Sequence, residues 1–123
     1  MNTIKIVYLT ILIAGLTISC EQDDQPVPRK TINVDLKPNQ QYEYNTMISG
    51  DEEGVLIALQ ASNYAESEIV RNSSTNFTAI YRYKPLNNFE GSDRVILKLE
   101  KGSDGASPAT EIEYIEINFV ITE

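Results

Sequence analysis

Phe77-Thr78-Ala79-Ile80-Tyr81-Arg82-Tyr83-Lys84 decides the fold class. Its apolar positions recur every second residue, the period of a strand with one face in a core. The phase predicts Phe77, Ala79, Tyr81 and Tyr83 inward. Downstream, Arg94 to Lys101 repeats the pattern with Val95, Leu97 and Leu99. Upstream, Thr31-Ile32-Asn33-Val34-Asp35-Leu36 puts Ile32, Val34 and Leu36 on one face.

Turn chemistry separates these runs. Lys37-Pro38-Asn39-Gln40 reads as a turn with proline at its first corner, and Tyr42 and Tyr44 begin another alternating run. Ser49-Gly50-Asp51-Glu52-Glu53-Gly54 breaks that run with two glycines and a charge cluster. Val55 to Ala61 is apolar on both faces, as in a central strand, although the same residues would also open a helix running to Glu68. Ile69 and Val70 belong to a further short strand, closed by the polar loop Asn72 to Asn76. In the last run Ile112 and Tyr114 share one phase while Ile115, Ile117, Phe119 and Ile121 share the other, which predicts a β-bulge near Tyr114. About seven short strands at regular spacing predict an all-β, antiparallel β-sandwich over residues 31–123.

One connection is more specific. Tyr83-Lys84-Pro85-Leu86-Asn87-Asn88-Phe89-Glu90-Gly91-Ser92-Asp93-Arg94-Val95 has the makings of a corner. Pro85 ends a strand, Phe89 folds back over the open end of the core, and Gly91 permits a tight turn. Asp93 accepts backbone N–H bonds within that turn. The segment resembles the Tyr-x-Pro…Phe-x-Gly-x-Asp signature of bacterial Ig-like, cadherin-like repeats, and the acidic Gly-rich turn at 49–54 lies where those repeats carry one. The resemblance implies a structural corner at Tyr83, Pro85, Phe89, Gly91 and Asp93, and a small single-domain surface protein.

The N-terminus gives an address. Lys5 precedes an apolar run from Ile6 to Ile18, and Cys20 is the only cysteine of the 123 residues. Thirteen residues make a helix of about 20 Å, short of a bilayer core of about 30 Å, so residues 1–19 read as a signal peptide that is removed. With Leu16-Thr17-Ile18-Ser19 before it, Cys20 resembles the lipidated cysteine of bacterial lipoproteins, whose thiol takes a palmitate-type lipid. Thr17 stands where that family usually has leucine, and an ordinary signal peptide followed by a free thiol is the other reading. Glu21-Gln22-Asp23-Asp24 resembles the acidic export tract of Bacteroidota-type surface lipoproteins; a solvated linker would read the same way. Residues 20–30, with Pro26 and Pro28, then form a tether of at most about 35 Å.

Composition narrows the chemistry. The formal charge is −8, and no basic stripe offers itself to phosphates, so nucleic acid is a poor partner. The chain has no histidine, which removes His-based triads and His metal ligands. Its carboxylates cluster in turns (Asp51, Glu52, Glu53) or on what alternation makes the outward face of a strand (Glu111, Glu113), where a general acid would not be tuned. Catalytic residues are therefore not expected. Calcium has weak candidates in Asp51, Glu52, Glu53, Asp93 and Asp104, without the Asp-x-Asp-x-Asp spacing of a calcium loop, and Gly102-Ser103-Asp104-Gly105 reads as a plain turn. No other cofactor is implied. Of the tyrosines only Tyr64 falls in a predicted loop, where a lone ring is more often incidental than an aromatic platform for a sugar.

These readings converge on a non-catalytic, lipid-anchored outer-membrane protein facing the cell exterior. Its Ig-like domain would act as a protein-binding or accessory module beside an outer-membrane partner. The alternative is a stand-alone carbohydrate- or host-ligand-binding, adhesive module.

Overall fold

The computed structural model describes residues 29–123. Seven strands appear in chain order: β1 (Arg29–Leu36), β2 (Tyr42–Asn45), β3 (Gly54–Leu59), β4 (Tyr64–Val70), β5 (Ile80–Pro85), β6 (Gly91–Lys101) and β7 (Glu111–Ile121). They form a β-sandwich of two sheets, ordered β1-β7-β6-β3 and β2-β5-β4. The first strand belongs to the same sheet as the last. All pairings are antiparallel except β1–β7, which run parallel from Arg29↔Tyr114 to Leu36↔Ile121. That departs from a wholly antiparallel sandwich. Both strands start at the same end, and because β1 crosses to the other sheet to reach β2, no tight turn has to join them.

The alternation of the sequence places the core. Val95, Leu97 and Leu99 from β6 meet Tyr81 and Tyr83 from β5, with Ile115, Ile117, Phe119 and Ile121 of β7 alongside, all buried. The Phe119 ring stacks on Tyr83 at 3.9 Å between centroids and meets Tyr42 edge-on at 5.5 Å. Such pairs add about 0.5–1.5 kcal/mol beyond the area they bury. The turn at 37–40 forms as expected, with Gln40 N–H donating to Lys37 O and Asn39 at φ 68°.

Four expectations are corrected. Phe77 is not in a strand and not inward: it is 60% exposed at φ 58°, and β5 begins only at Ile80. Asn72 caps a short 3-10 turn over Ser73–Thr75, its side chain accepting from Ser74 N–H, and Asn76 then turns left-handed. That local cap consumes the residues that would otherwise extend the strand. Val55–Ala61 does not form a central strand or open a helix, because β3 lies at the edge of its sheet and β4 follows it. The bulge near Tyr114 is absent, since β7 keeps unbroken register with β6 from Glu111 to Ile121. Irregularities lie instead at Ile57/Leu59 and Tyr64/Glu66. Finally, Ile112 and Tyr114 lie in the outward phase, so Glu111 and Glu113 share the inner phase with Ile115 and Ile117. β6 and β7 are 11 residues long against six for β5, so their far end outruns the opposing sheet and the inner phase there meets solvent. Lys101 Nζ pairs with Glu113 at 3.2 Å in that uncovered stretch.

The strand directions give the sandwich two distinct ends. Arg29 enters at the end that carries the β2–β3, β4–β5 and β6–β7 connections. The β1–β2, β3–β4 and β5–β6 connections lie at the opposite end.

Candidate functional site

Asp93 organises the end opposite the chain entry. It begins the inward phase of β6 and is 7% exposed. A buried carboxylate is costly unless its oxygens are satisfied. Ser62 N–H and Arg94 N–H donate to Oδ1, each at 2.8 Å. Asn63 N–H donates to Oδ2 at 2.8 Å and Tyr83 Oη donates to the same oxygen at 2.9 Å. Three of these four donors come from the β3–β4 connection and the opposite sheet, and only Arg94 N–H comes from Asp93's own turn, where the sequence places them. Pro85 is buried at the end of β5, and Phe89 packs against the core. Gly91 sits at φ 135°, where a Cβ would lie 3.3 Å from Phe89 Cζ. Burial first, and then the bond to Asp93, push the Tyr83 hydroxyl well above the ordinary tyrosine value.

The corner also shapes a cleft. β3 leaves its sheet after Leu59↔Ile96, while β6 continues for five residues to Gly91. Asp93 pins the departing chain at Ser62 and Asn63. Between this segment and the outer face of β6 and β7 lies an open cleft of about 680 Å³, floored by Arg94 and Asn118, with Asn33 of β1 beside them. Leu59 and Val120 supply its apolar walls. Sequence reasoning missed the cleft.

The acidic candidates are not brought together. Asp104 accepts from Ala106 N–H at 3.0 Å and Ser107 N–H at 2.6 Å, so it closes its own turn, and these bonds hold its carboxyl below the usual value. Asp51, Glu52 and Glu53 lie in the β2–β3 connection at the chain-entry end, whereas Asp93 is at the other. Among the described residues no three His, Cys, Asp or Glu side chains group as metal ligands. Tyr64 is not in a loop but opens β4, registered with Pro85 and 36% exposed. Cys20 and the Glu21, Gln22, Asp23, Asp24 tract lie outside the described residues.

A second unforeseen residue is Arg71. Its guanidinium donates to Phe77 O at 2.8 Å, Glu53 O at 2.9 Å and Gly50 O at 2.6 Å, joining two connections at the chain-entry end. Nothing in the local sequence separates such an arginine from a solvated one.

No family model matches the chain, and no curated protein matches it. Among solved structures, an endo-fucoidan hydrolase of glycoside hydrolase family 107 is similar at 18% identity with a TM-score of 0.47, over 78% of this chain and 13% of that one. A cysteine protease inhibitor from Entamoeba histolytica is similar at 12% identity with a TM-score of 0.37, over 78% of this chain and 95% of that one. Likenesses this distant carry no argument about activity.

Proposed function

We propose that this chain is a non-catalytic surface lipoprotein, anchored through Cys20, whose sandwich is a protein-binding accessory module beside an outer-membrane partner. The observation that carries the reading is the outer face of the four-stranded sheet near the chain entry. Register aligns Leu56, Lys98 and Tyr114 in one row across β3, β6 and β7, with Ile112 in the next row. Leu56 is 53% exposed and Ile112 36%. Apolar side chains grouped on a sheet face and rimmed by charge are the composition of a protein contact. A tether of at most about 35 Å would keep that face within reach of a membrane partner.

The experiment is affinity purification of the full chain from gently solubilised membranes, in parallel with a Leu56→Asp variant. A stoichiometric membrane partner lost in Leu56→Asp supports the reading. A chain that purifies alone, or a partner retained equally by both, counts against it. Anchoring is tested apart: Cys20→Ala should leave the membrane fraction, and a variant that stays there removes lipidation from the account.

A further inference from the structure

The row Asn33, Asn118 and Arg94 across β1, β7 and β6 is fixed by register, Asn33↔Asn118 and Arg94↔Asn118, and all three side chains belong to the outward phase. Asn118 Nδ2 donates to Asn33 Oδ1 at 3.3 Å. That bond leaves the Asn33 amide hydrogens and the Asn118 carbonyl oxygen without a protein partner among the described residues. The Asn63 side chain at the cleft rim is likewise uncommitted there; only its backbone is engaged, by Asp93, Tyr83 and Leu86. The result is a set of planar donor and acceptor groups facing one cleft.

Arg94 is singled out by its place on the cleft floor. Arg29, Arg82, Lys98 and Lys101 each sit on a glutamate, whereas no carboxylate of the described residues pairs with Arg94. A guanidinium offers a fork of donors that fits a carboxylate bidentately. Arg94 is the one cation on the cleft lining, and Asp93, the one carboxylate there, is already held by four donors.

From this arrangement we infer that the cleft binds a short oligosaccharide bearing a carboxylate, of the uronic-acid type. Arg94 takes the carboxylate, and the amides of Asn33, Asn118 and Asn63 exchange hydrogen bonds with ring hydroxyls. Leu59 and Val120 lie against the C–H face of the sugar. A peptide ligand fits less well, because peptide sites centre on aromatic or apolar anchor pockets and this lining is mostly amide and hydroxyl. The site stands on the geometry alone; only its direction, away from the membrane, rests on the anchoring proposed above.

The test is calorimetric titration of the full chain, solubilised in detergent, with trigalacturonate, maltotriose and tri-glutamate. Trigalacturonate should bind saturably and at least about tenfold more tightly than maltotriose, and Arg94→Ala should abolish that preference. Arg94 is exposed, so Arg94→Ala should leave the fold intact, and Lys84→Ala, on the outer face of the other sheet and outside the cleft, should leave the affinity unchanged. Four results would overturn the inference: no saturable binding of trigalacturonate, equal affinity for maltotriose, equal losses in Arg94→Ala and Lys84→Ala, or tighter binding of tri-glutamate. The last would make the cleft a site for acidic peptides. Membrane fractionation of Cys20→Ala reads the anchoring separately, so neither failure imitates the other.

Discussion

Tyr83 Oη donates to Asp93 Oδ2 at 2.9 Å, and the bond crosses from one sheet of the sandwich to the other. The Tyr83 ring is stacked on Phe119 in the core, while Asp93 holds the amides of Ser62 and Asn63 at the surface. Two residues thus couple core packing to the rim of the cleft. Asp93→Ala removes the acceptor of three backbone donors and a hydroxyl and should destabilise the protein by about 3 kcal/mol, against about 1 kcal/mol for Tyr83→Phe. Urea unfolding of both variants and of the double variant measures the coupling. If Tyr83→Phe costs the same with and without Asp93, the bond contributes nothing.

Gly91 is tested by its backbone. At φ 135°, and with a Cβ arriving 3.3 Å from the Phe89 ring, Gly91→Ala meets both conformational strain and a ring that has to move. A loss of about 2 kcal/mol is expected. Phe89→Ala made together with Gly91→Ala should cost less than the sum of the two single changes, because the truncated ring no longer resists the methyl. Strict additivity would place the strain in the backbone alone.

The strands and most inward faces were legible in the sequence because the core is built on period two. Ala79, Tyr81, Tyr83, Val95, Leu97 and Leu99 all point where alternation puts them. Alternation fails where its physical premise fails. Past the end of β5 no opposing sheet covers β6 and β7, so Glu111 and Glu113 occupy the inner phase in solvent and the phase conflict around Tyr114 needs no bulge. Of the donors to Asp93, Arg94 and Tyr83 lie near it in sequence, whereas Ser62 and Asn63 lie 31 and 30 residues away and were not legible. The cleft was not legible. Asn33, Arg94 and Asn118 each read as an ordinary outward polar residue, and only the pairing of β1 and β6 with β7 sets them side by side.

Phe77 separates the two readings of its segment. Were it a core residue, Phe77→Gly would cost about 3–5 kcal/mol. Exposed at φ 58°, it should lose almost nothing and regain the conformational cost of a left-handed phenylalanine. The expected result is a chain equally stable or up to about 1 kcal/mol more stable by urea unfolding. A large loss would return Phe77 to the core.

Arg71 donates to three backbone carbonyls and thereby fixes the β2–β3 and β4–β5 connections to each other. Arg71→Ala should cost about 1–2 kcal/mol and speed amide exchange at Glu53 and Phe77. Arg71→Lys should not restore protection, because one ammonium cannot span three carbonyls spread over both loops. Full protection in the lysine variant would reduce the arginine to a point charge.

Alkali should unfold the protein through its tyrosines. Burial first of all raises the hydroxyls of Tyr42, Tyr81 and Tyr83 above the ordinary value of 10.0. In the unfolded chain each releases its proton near that value, whereas the folded state keeps it. Above it the folded state therefore binds more protons, and the sign of the linkage makes stability fall as pH rises. Below about pH 9 this contribution is complete and independent of pH. Ultraviolet titration of phenolate should show the Tyr81 and Tyr83 signals appearing only together with loss of β-sheet circular dichroism. Phenolate from Tyr83 in a chain that is still folded would mean that the Asp93 bond and the stack on Phe119 do not hold that hydroxyl protonated. Tyr83→Phe should shift the alkaline transition upward relative to its own neutral-pH stability, because one of the protons that drives it is gone.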